Sequence, residues 1–368
     1  MGRDRNLSFS QRDNRMTDPV PEKPSRRPRY RGKNPRQFHE KYKEHQPERY
    51  ADDVAKVLAA GKTPAGTHRP ILVREVLDAL SPAPGEVAVD CTLGYGGHAR
   101  ELLVAVQPGG RLLGLDADPI ELPKTEARLL ASGYPREAIV VRRMNYAGLT
   151  QFLAAEAPDG ADVLLADLGL SSMQIDDPSR GFSFKVDGPL DMRMNPARGR
   201  PASALLSTLD EAGLTRFLTE NADEPLAREL SGAILHAHAR TPITTTRALA
   251  GVVLDAFAPF ARRSAGTADD AVRRVFQALR VAVNDEFGAL EAFLRNLPSC
   301  LKPGGRVATL TFHSGEDRRV KAAFKDGLRD GSYASIAKDV VRASAEERRA
   351  NPRSSAAKLR FAVRGSIQ

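Results

Sequence analysis

The spacing of apolar positions changes several times along this chain of 368 residues, and each change predicts an element. The segment 71–80 (ILVREVLDAL) repeats at helical spacing, whereas Glu86-Val-Ala-Val-Asp90 is a short, β-branched apolar run of the kind that forms a buried strand. A glycine cluster follows, then a helix near 98–106 and a second strand over Arg111-Leu-Leu-Gly-Leu-Asp116. Two further strands are expected over Ala138-Ile-Val-Val-Arg142 and Asp162-Val-Leu-Leu-Ala-Asp167. Strands that are apolar throughout and alternate with helices predict an α/β fold with a parallel, doubly wound sheet covered on both faces.

After Asp167 the rhythm breaks. Residues 175–272 show no such strand but carry helical periods at 210–220, 225–239 and 246–258, which predicts an inserted helical domain. The sheet pattern resumes with one long amphipathic helix from Val272 to Leu297, the turn Lys302-Pro-Gly-Gly305, a strand Arg306–Phe312 and a last strand Lys358–Val363. The expected division is therefore an arm over 1–66, a sheet domain over 67–175 and 273–368, and a helical insert over 176–272.

Charge and composition refine this picture. Residues 1–50 hold 14 Lys/Arg against 7 Asp/Glu, a net +7 of the whole chain's +9. The stretch 19–36 is rich in Pro and Arg and too polar to bury a core, so it is expected to be disordered, with a short helix over 47–61 beyond it. This basic arm, interleaved with Tyr30, Phe38 and Tyr42, suits docking on RNA, with a tail that merely aids solubility as the plain alternative. No apolar run approaches the ~20 residues that span a bilayer, which argues against a membrane protein. With Cys91 and Cys300 as its only cysteines, the chain has no disulfide framework and no cysteine-rich metal site. A reducing, cytoplasmic setting and no metal are expected.

The first strand runs into Asp90-Cys-Thr-Leu-Gly94-Tyr-Gly96-Gly97-His98-Ala99, the G-x-G-x-x-[GA] pattern in its required place between strand and helix. Such a turn lets the backbone pass close to a cofactor and aims free N–H groups at it, although a glycine corner needed only for the chain's path would look the same. Asp116 ends the second strand, 22 residues beyond Gly94, where a carboxylate can accept both ribose hydroxyls of an adenosine-containing cofactor. NAD and S-adenosylmethionine both satisfy this. Asp118 is a weaker candidate, and capping the next helix is its alternative role. Asp167, at the end of the fourth strand, leads into Leu-Gly-Leu-Ser171-Ser172-Met173-Gln174, placed over the cofactor and beside a substrate.

These blocks resemble the RsmH (MraW) family of ribosomal RNA methyltransferases. The resemblance rests on Gly94-Tyr-Gly-Gly-His98, Asp167-Leu-Gly-Leu-Ser-Ser-Met-Gln-Ile-Asp-Asp177, Arg180-Gly-Phe-Ser-Phe184 and Gly188-Pro-Leu-Asp-Met-Arg-Met194. It continues through His68-Arg-Pro-Ile-Leu, Phe276-Gln-Ala-Leu-Arg280, Val283-Asn-Asp-Glu286, Thr311-Phe-His-Ser314, Glu316-Asp-Arg318 and Lys358-Leu-Arg360, in order from about residue 67 onward. It implies a Rossmann-like S-adenosylmethionine methyltransferase acting on the N4 amine of a cytidine in the decoding region of small-subunit (16S) rRNA. Naked rRNA and the assembled small ribosomal subunit both stay open as the substrate, and so does a homodimer.

Carried over position by position, the resemblance puts cofactor contacts on Gly96, Gly97 and His98, the ribose on Asp116, the adenine beside Tyr146, and the methionyl end near Asp167 and Gln174. Tyr146 replaces the family's usual Phe, Met173 a Pro, Gly315 a Leu and Ala99 a Ser. For the chemistry, Asp167 and Ser171 are the expected acceptors for the amine, because an amine conjugated with its ring needs orientation and acceptors more than a strong base. His313 is expected at the rim, touching substrate or simply satisfied within the sheet. Arg180, Arg193, Arg280 and Arg318 are expected to form an RNA track, each one singly reading as a solvated or ion-paired residue. Two rivals differ in kind. A dinucleotide-dependent oxidoreductase would share Asp116 but lacks its Tyr-x-x-x-Lys here, and a non-enzymatic RNA-assembly protein would not need Asp116 and Asp167 intact.

Overall fold

The computed structural model describes residues 70–263 and 266–366; the predicted arm, its disordered stretch and its short helix lie outside these residues. Helix α1 (Val73–Leu80) precedes β1 (Val87–Asp90), α2 (Gly97–Val106), β2 (Arg111–Asp116), α3 (Leu122–Leu130), β3 (Ile139–Arg143), α4 (Leu149–Glu156) and β4 (Ala161–Asp167). The helical segment follows as α5 (Ser172–Asp176), α6 (Ala202–Leu206), α7 (Glu211–Ala222), α8 (Ala227–Arg240), α9 (Thr246–Phe257) and α10 (Ala268–Asn284). The chain then closes the sheet through α11 (Glu286–Cys300), β5 (Leu301–Thr311), α12 (Ser314–Arg329), β6 (Tyr333–Ile336), α13 (Ala345–Ala350) and β7 (Lys358–Arg364).

The seven strands form one sheet in the order β3-β2-β1-β4-β5-β7-β6, with β3 to β5 parallel and β7 antiparallel to both neighbours. Alternation within each strand explains why both faces are covered. Val89, Leu113, Leu115, Leu164, Ala166 and Val307 point to one face, under α4, α11 and α12. Ala88, Leu112, Val163, Leu165, Ala308 and Leu310 point to the other, under α1, α2 and α3. The strand order reverses at β1/β4, and there the chain ends of β1, β2 and β4 open a cleft at the carboxyl edge.

A third core, running from Phe182 to Leu279, holds α6 to α10 together. The division expected at 273 cuts through it. Ala271, Val272, Val275, Phe276, Ala278 and Leu279 of α10 all pack into this helical layer, so by packing the insert extends to Asn284. The single helix expected over 272–297 is likewise two helices. Asp285 takes a left-handed conformation (φ 48°), which a short polar side chain tolerates, and separates α10 from α11. Asn284 secures the break by donating to the carbonyls of Met192 (2.7 Å) and Arg280 (2.9 Å). Among the elements without a prediction are α12 and β6. The first is amphipathic at helical spacing, and the second is a four-residue edge strand too short to show a period. The residues expected as a turn at 302–305 lie within β5, where its register against β4 shifts between Ala161 and Val163.

Candidate active site

The cleft has a volume of about 400 Å³, within the range of small-molecule sites. Its cofactor-facing side is built largely from backbone. Asp116 accepts the Gly94 N–H (2.7 Å) on one oxygen and the Asp118 N–H (2.8 Å) on the other, which fixes the carboxylate and leaves each oxygen a further lone pair. Burial pushes its carboxyl up, and these two N–H groups act against that shift. The glycines beside it are needed first by the protein's own packing. A Cβ on Gly97 would collide with Pro70, and one on Gly96, whose φ is +82°, would sit 2.8 Å from Thr125.

Asp90 and Asp167 end the adjacent strands β1 and β4 and are joined through Thr92. The Thr92 hydroxyl accepts the Asp167 N–H (2.7 Å) and lies 3.4 Å from Asp90 Oδ1. Asp90 is 2% exposed, and burial raises its carboxyl to about 6 against the opposing charge of His98. His98 is also buried. Its Nε2 meets the Ile71 carbonyl at 2.9 Å and its Nδ1 stands 3.4 Å from Asp167 Oδ2. Burial alone would lower this imidazole, but Asp167, with Asp90 and the Ile71 carbonyl, holds it above its usual value. Both ring nitrogens therefore face protein groups, and His98 offers the cleft the side of its ring.

Ser171 and Gln174 form a reciprocal cap on α5: the Ser171 Oγ accepts the Gln174 N–H (3.2 Å), and Gln174 Oε1 accepts the Ser171 N–H (2.9 Å). After accepting that N–H the Ser171 hydroxyl keeps a second lone pair and its own O–H. Gln174 Nε2 donates to Asp118 Oδ2 at 2.8 Å, and Arg180 Nη1 reaches the same oxygen at 2.9 Å. Arg180 also donates to the carbonyls of Arg193 (3.1 Å) and Met194 (2.7 Å). Burial would raise the Asp118 carboxyl, but Arg180, the Ile120 N–H and Gln174 hold it below its ordinary range. Arg180 is thus 7% exposed and held through both terminal nitrogens, a tie between the insert and the Asp118 loop and not the phosphate contact expected of it.

The other arginines differ among themselves. Arg193 forks onto Asp191 (2.7 Å twice), and Arg318 forks onto Asp223 (2.9 Å twice) at an exposed site. Neither lines the cleft, whereas Arg280 does, paired with Glu286 through Nε (2.8 Å) and Nη2 (2.9 Å). His313 caps α12 with Nδ1 accepting the Glu316 N–H (3.4 Å), and its Nε2 lies 3.2 Å from Glu316 Oε1 but off the line of a hydrogen bond. Glu286, His313 and Glu316 bring three donor atoms within 4.8 Å of one another, a spacing that can hold a metal. Both Glu286 oxygens, however, already accept from Arg280, and the guanidinium supplies the positive charge there.

Of the residues expected at the site, Gly97, His98, Asp116, Tyr146, Asp167, Ser171, Gln174, Arg280 and His313 line the cleft, whereas Gly96, Arg180, Arg193 and Arg318 do not. Tyr146 packs edge-on against Phe293 (5.5 Å), and burial together with Glu286 and Glu316 raises its hydroxyl strongly. Asp90 and Glu286 had no role in the sequence analysis. An acidic residue ending the strand before a glycine turn was the available signal for Asp90; Glu286 had none, because its partner and its burial arise only from the break at Asp285.

A doubly wound sheet with a glycine turn after β1, a ribose-type carboxylate after β2 and a second acid after β4 defines an enzyme that binds an adenosine-containing cofactor. The family model described as the MraW methylase family matches residues 65–364, and the chain belongs to that family. Among its relatives, the ribosomal RNA small subunit methyltransferase H 2 of Alkaliphilus metalliredigens is 48% identical over 346 residues, covering 93% of this chain and 98% of that protein. The methyltransferase H 1 of Lachnoclostridium phytofermentans is 46% identical over 341 residues (92% and 93%), and that of Agathobacter rectalis 45% over 343 (92% and 97%). These shares exceed what residues 65–364 hold, so the likeness runs into the N-terminal arm.

Proposed function

We propose that the protein transfers the methyl group of S-adenosylmethionine to the N4 amine of a cytidine in the decoding region of small-subunit (16S) rRNA. The observation that carries this is the convergence, in one cleft of a MraW-family chain, of the Asp116 carboxylate, the 94–98 turn and Asp167. The residues suit the cofactor: Asp116 keeps a lone pair on each oxygen for two ribose hydroxyls, and the buried Asp90 with the half-buried Asp167 favours a ligand that carries positive charge. S-adenosylmethionine supplies an electrophilic methyl group on a sulfonium.

The chain's task is orientation. A cytosine amine is a weak nucleophile because its lone pair is delocalised into the ring, so holding it in line is worth more than deprotonating it beforehand. Asp167 accepts hydrogen bonds from the amine and draws off the proton released on transfer. His98 Nδ1, 3.4 Å from that carboxylate, keeps Asp167 aimed. Thr92 fixes the Asp167 backbone, and the Ser171 hydroxyl donates into the same space. The target base must leave its stack to reach the cleft.

The partner is rRNA, which supports a cytoplasmic setting; among the described residues no helix is long and apolar enough to cross a membrane. Nucleoside mass spectrometry on rRNA from cells with and without the gene is the test. Loss of N4-methylcytidine at one small-subunit position is expected, and unchanged N4-methylcytidine would sink the proposal. Incubating naked rRNA and assembled subunits in parallel separates the two substrates, and light scattering separates monomer from homodimer.

A further inference from the structure

We propose that Arg280 reads the target cytosine itself, donating from Nη1 to N3 and O2 of the base; this rests on the N4-methylation reading above. The break at Asp285 turns α11 back so that Glu286, its first residue, faces Arg280 in the last turn of α10. Glu286 takes Nε at 2.8 Å and Nη2 at 2.9 Å, and the Asn284 side chain holds the Arg280 carbonyl at 2.9 Å. The guanidinium is therefore locked by two of its three nitrogens. Among the described residues nothing accepts from the third, Nη1, and it is not among the buried polar atoms left without a partner; the residue lines the cleft. A pair of N–H donors is left without a protein partner on a residue that lines the cavity.

The surrounding charge selects what those donors can bind. Arg280 is one positive charge beside two buried carboxylates, Glu286 and Glu316. A phosphate or another carboxylate brought to Nη1 would add a third negative charge in a poorly solvated place, whereas a neutral acceptor would not. Cytosine freed from its stack presents one donor, N4, beside two acceptors, N3 and O2. An acceptor at Asp167 and a donor at Arg280, both lining one cleft, match that order. Uracil presents an N–H at position 3, where donor would meet donor, so the same arrangement rejects it.

The test uses naked rRNA and reconstituted small subunits in parallel, each carrying either cytidine or 3-deazacytidine at the position located by the mass spectrometry and compared in whichever form accepts methyl, and the full-length protein as wild type, Arg280→Lys and Arg280→Gln. For wild type, 3-deazacytidine, which lacks the N3 acceptor, should lower kcat/KM roughly ten- to a hundredfold, the range of one hydrogen bond to a charged group. Arg280→Lys keeps a charge opposite Glu286 and should lose a similar factor on cytidine, lose little more on 3-deazacytidine, and bind S-adenosylmethionine within about twofold of wild type. Equal wild-type rates on the two substrates overturn the proposal even if neither variant folds. So do losses that simply multiply, or a variant whose only defect is cofactor affinity. No transfer by wild type to the cytidine substrate would overturn the reaction itself and this inference with it.

Discussion

The two sides of the cleft are built by different means. On the cofactor side much of the fixation runs through the main chain: two backbone N–H groups hold the Asp116 carboxylate, the Asp167 backbone N–H is held by the Thr92 hydroxyl, and the glycine turn packs against the side chains of Pro70 and Thr125. On the opposite side the anchors are side chains holding one another, with Arg280 on Glu286 and His313 over Glu316, and behind the cleft Arg180 and Gln174 both donate to Asp118. Backbone fixation survives most substitutions nearby. Side-chain fixation does not, because each member of a buried pair leaves an uncompensated charge when its partner goes. The first side should therefore fail by losing ligand affinity and the second by losing structure.

Arg180 gives the largest expected effect. Replacing it by Ala strands the buried Asp118 carboxylate and frees the carbonyls of Arg193 and Met194, so roughly 3–5 kcal/mol of stability should be lost at pH 7, measured by denaturant unfolding. The sign with pH is fixed by Asp118. Its folded value lies below the unfolded one, so in wild type its contribution is present above the ordinary carboxylate range and is lost as pH falls through the folded value. Without Arg180, burial is opposed only by the Ile120 N–H and Gln174, so the Asp118 carboxyl rises and the variant relieves part of its penalty by taking up a proton. The gap between variant and wild type should narrow from pH 7 to pH 4; a gap of constant size would mean that Arg180 acts by packing alone.

Asp167 should separate turnover from binding. Asp167→Ala removes the acceptor for the amine and the partner of His98, and kcat should fall by roughly a hundredfold or more, the ordinary range for a group that handles a proton in the transition state. Calorimetry with S-adenosylmethionine should show a smaller change. Asp116→Ala inverts the pattern: affinity for the cofactor should weaken roughly ten- to a hundredfold, about 1.5–3 kcal/mol, with kcat at saturating cofactor less affected. Native affinity in that variant would remove the ribose assignment.

How far each side could be read from the sequence follows from the same contrast. Strands β1 to β4 and most cofactor-side residues sit in short, contiguous segments whose period and glycines speak for themselves: Gly97 opens the helix after β1, and Asp116 and Asp167 fall at strand ends in the order a doubly wound sheet demands. Ser171 was legible as a site residue but not as a cap, since its role depends on which way Gln174 turns. The far wall is assembled from α10, α11, β5 and the loop before α6, segments separated by up to a hundred residues or so. Its pairing is set by one left-handed residue, Asp285, that no periodicity announces. Four arginines looked alike in sequence because burial and partner, which decide what a guanidinium does, are properties of the fold.

Arg318 gives the smallest expected effect and the sharpest check of the contrast. It forks onto Asp223 at 2.9 Å through both terminal nitrogens, a geometry at least as regular as that of Arg180 on Asp118, and it ties α12 to the end of α7 just as Arg180 ties the insert to the Asp118 loop. Its side chain is 55% exposed and that of Asp223 48%, so water and salt compete for both charges. An ion pair in that position contributes at most about 1 kcal/mol, and much less once screened. Arg318→Ala should therefore unfold within that margin of wild type in denaturant, with the difference vanishing as salt is raised, while Arg180→Ala stays severely weakened at every salt concentration. Should the two variants lose comparable stability, geometry and not burial would be what fixes the far wall.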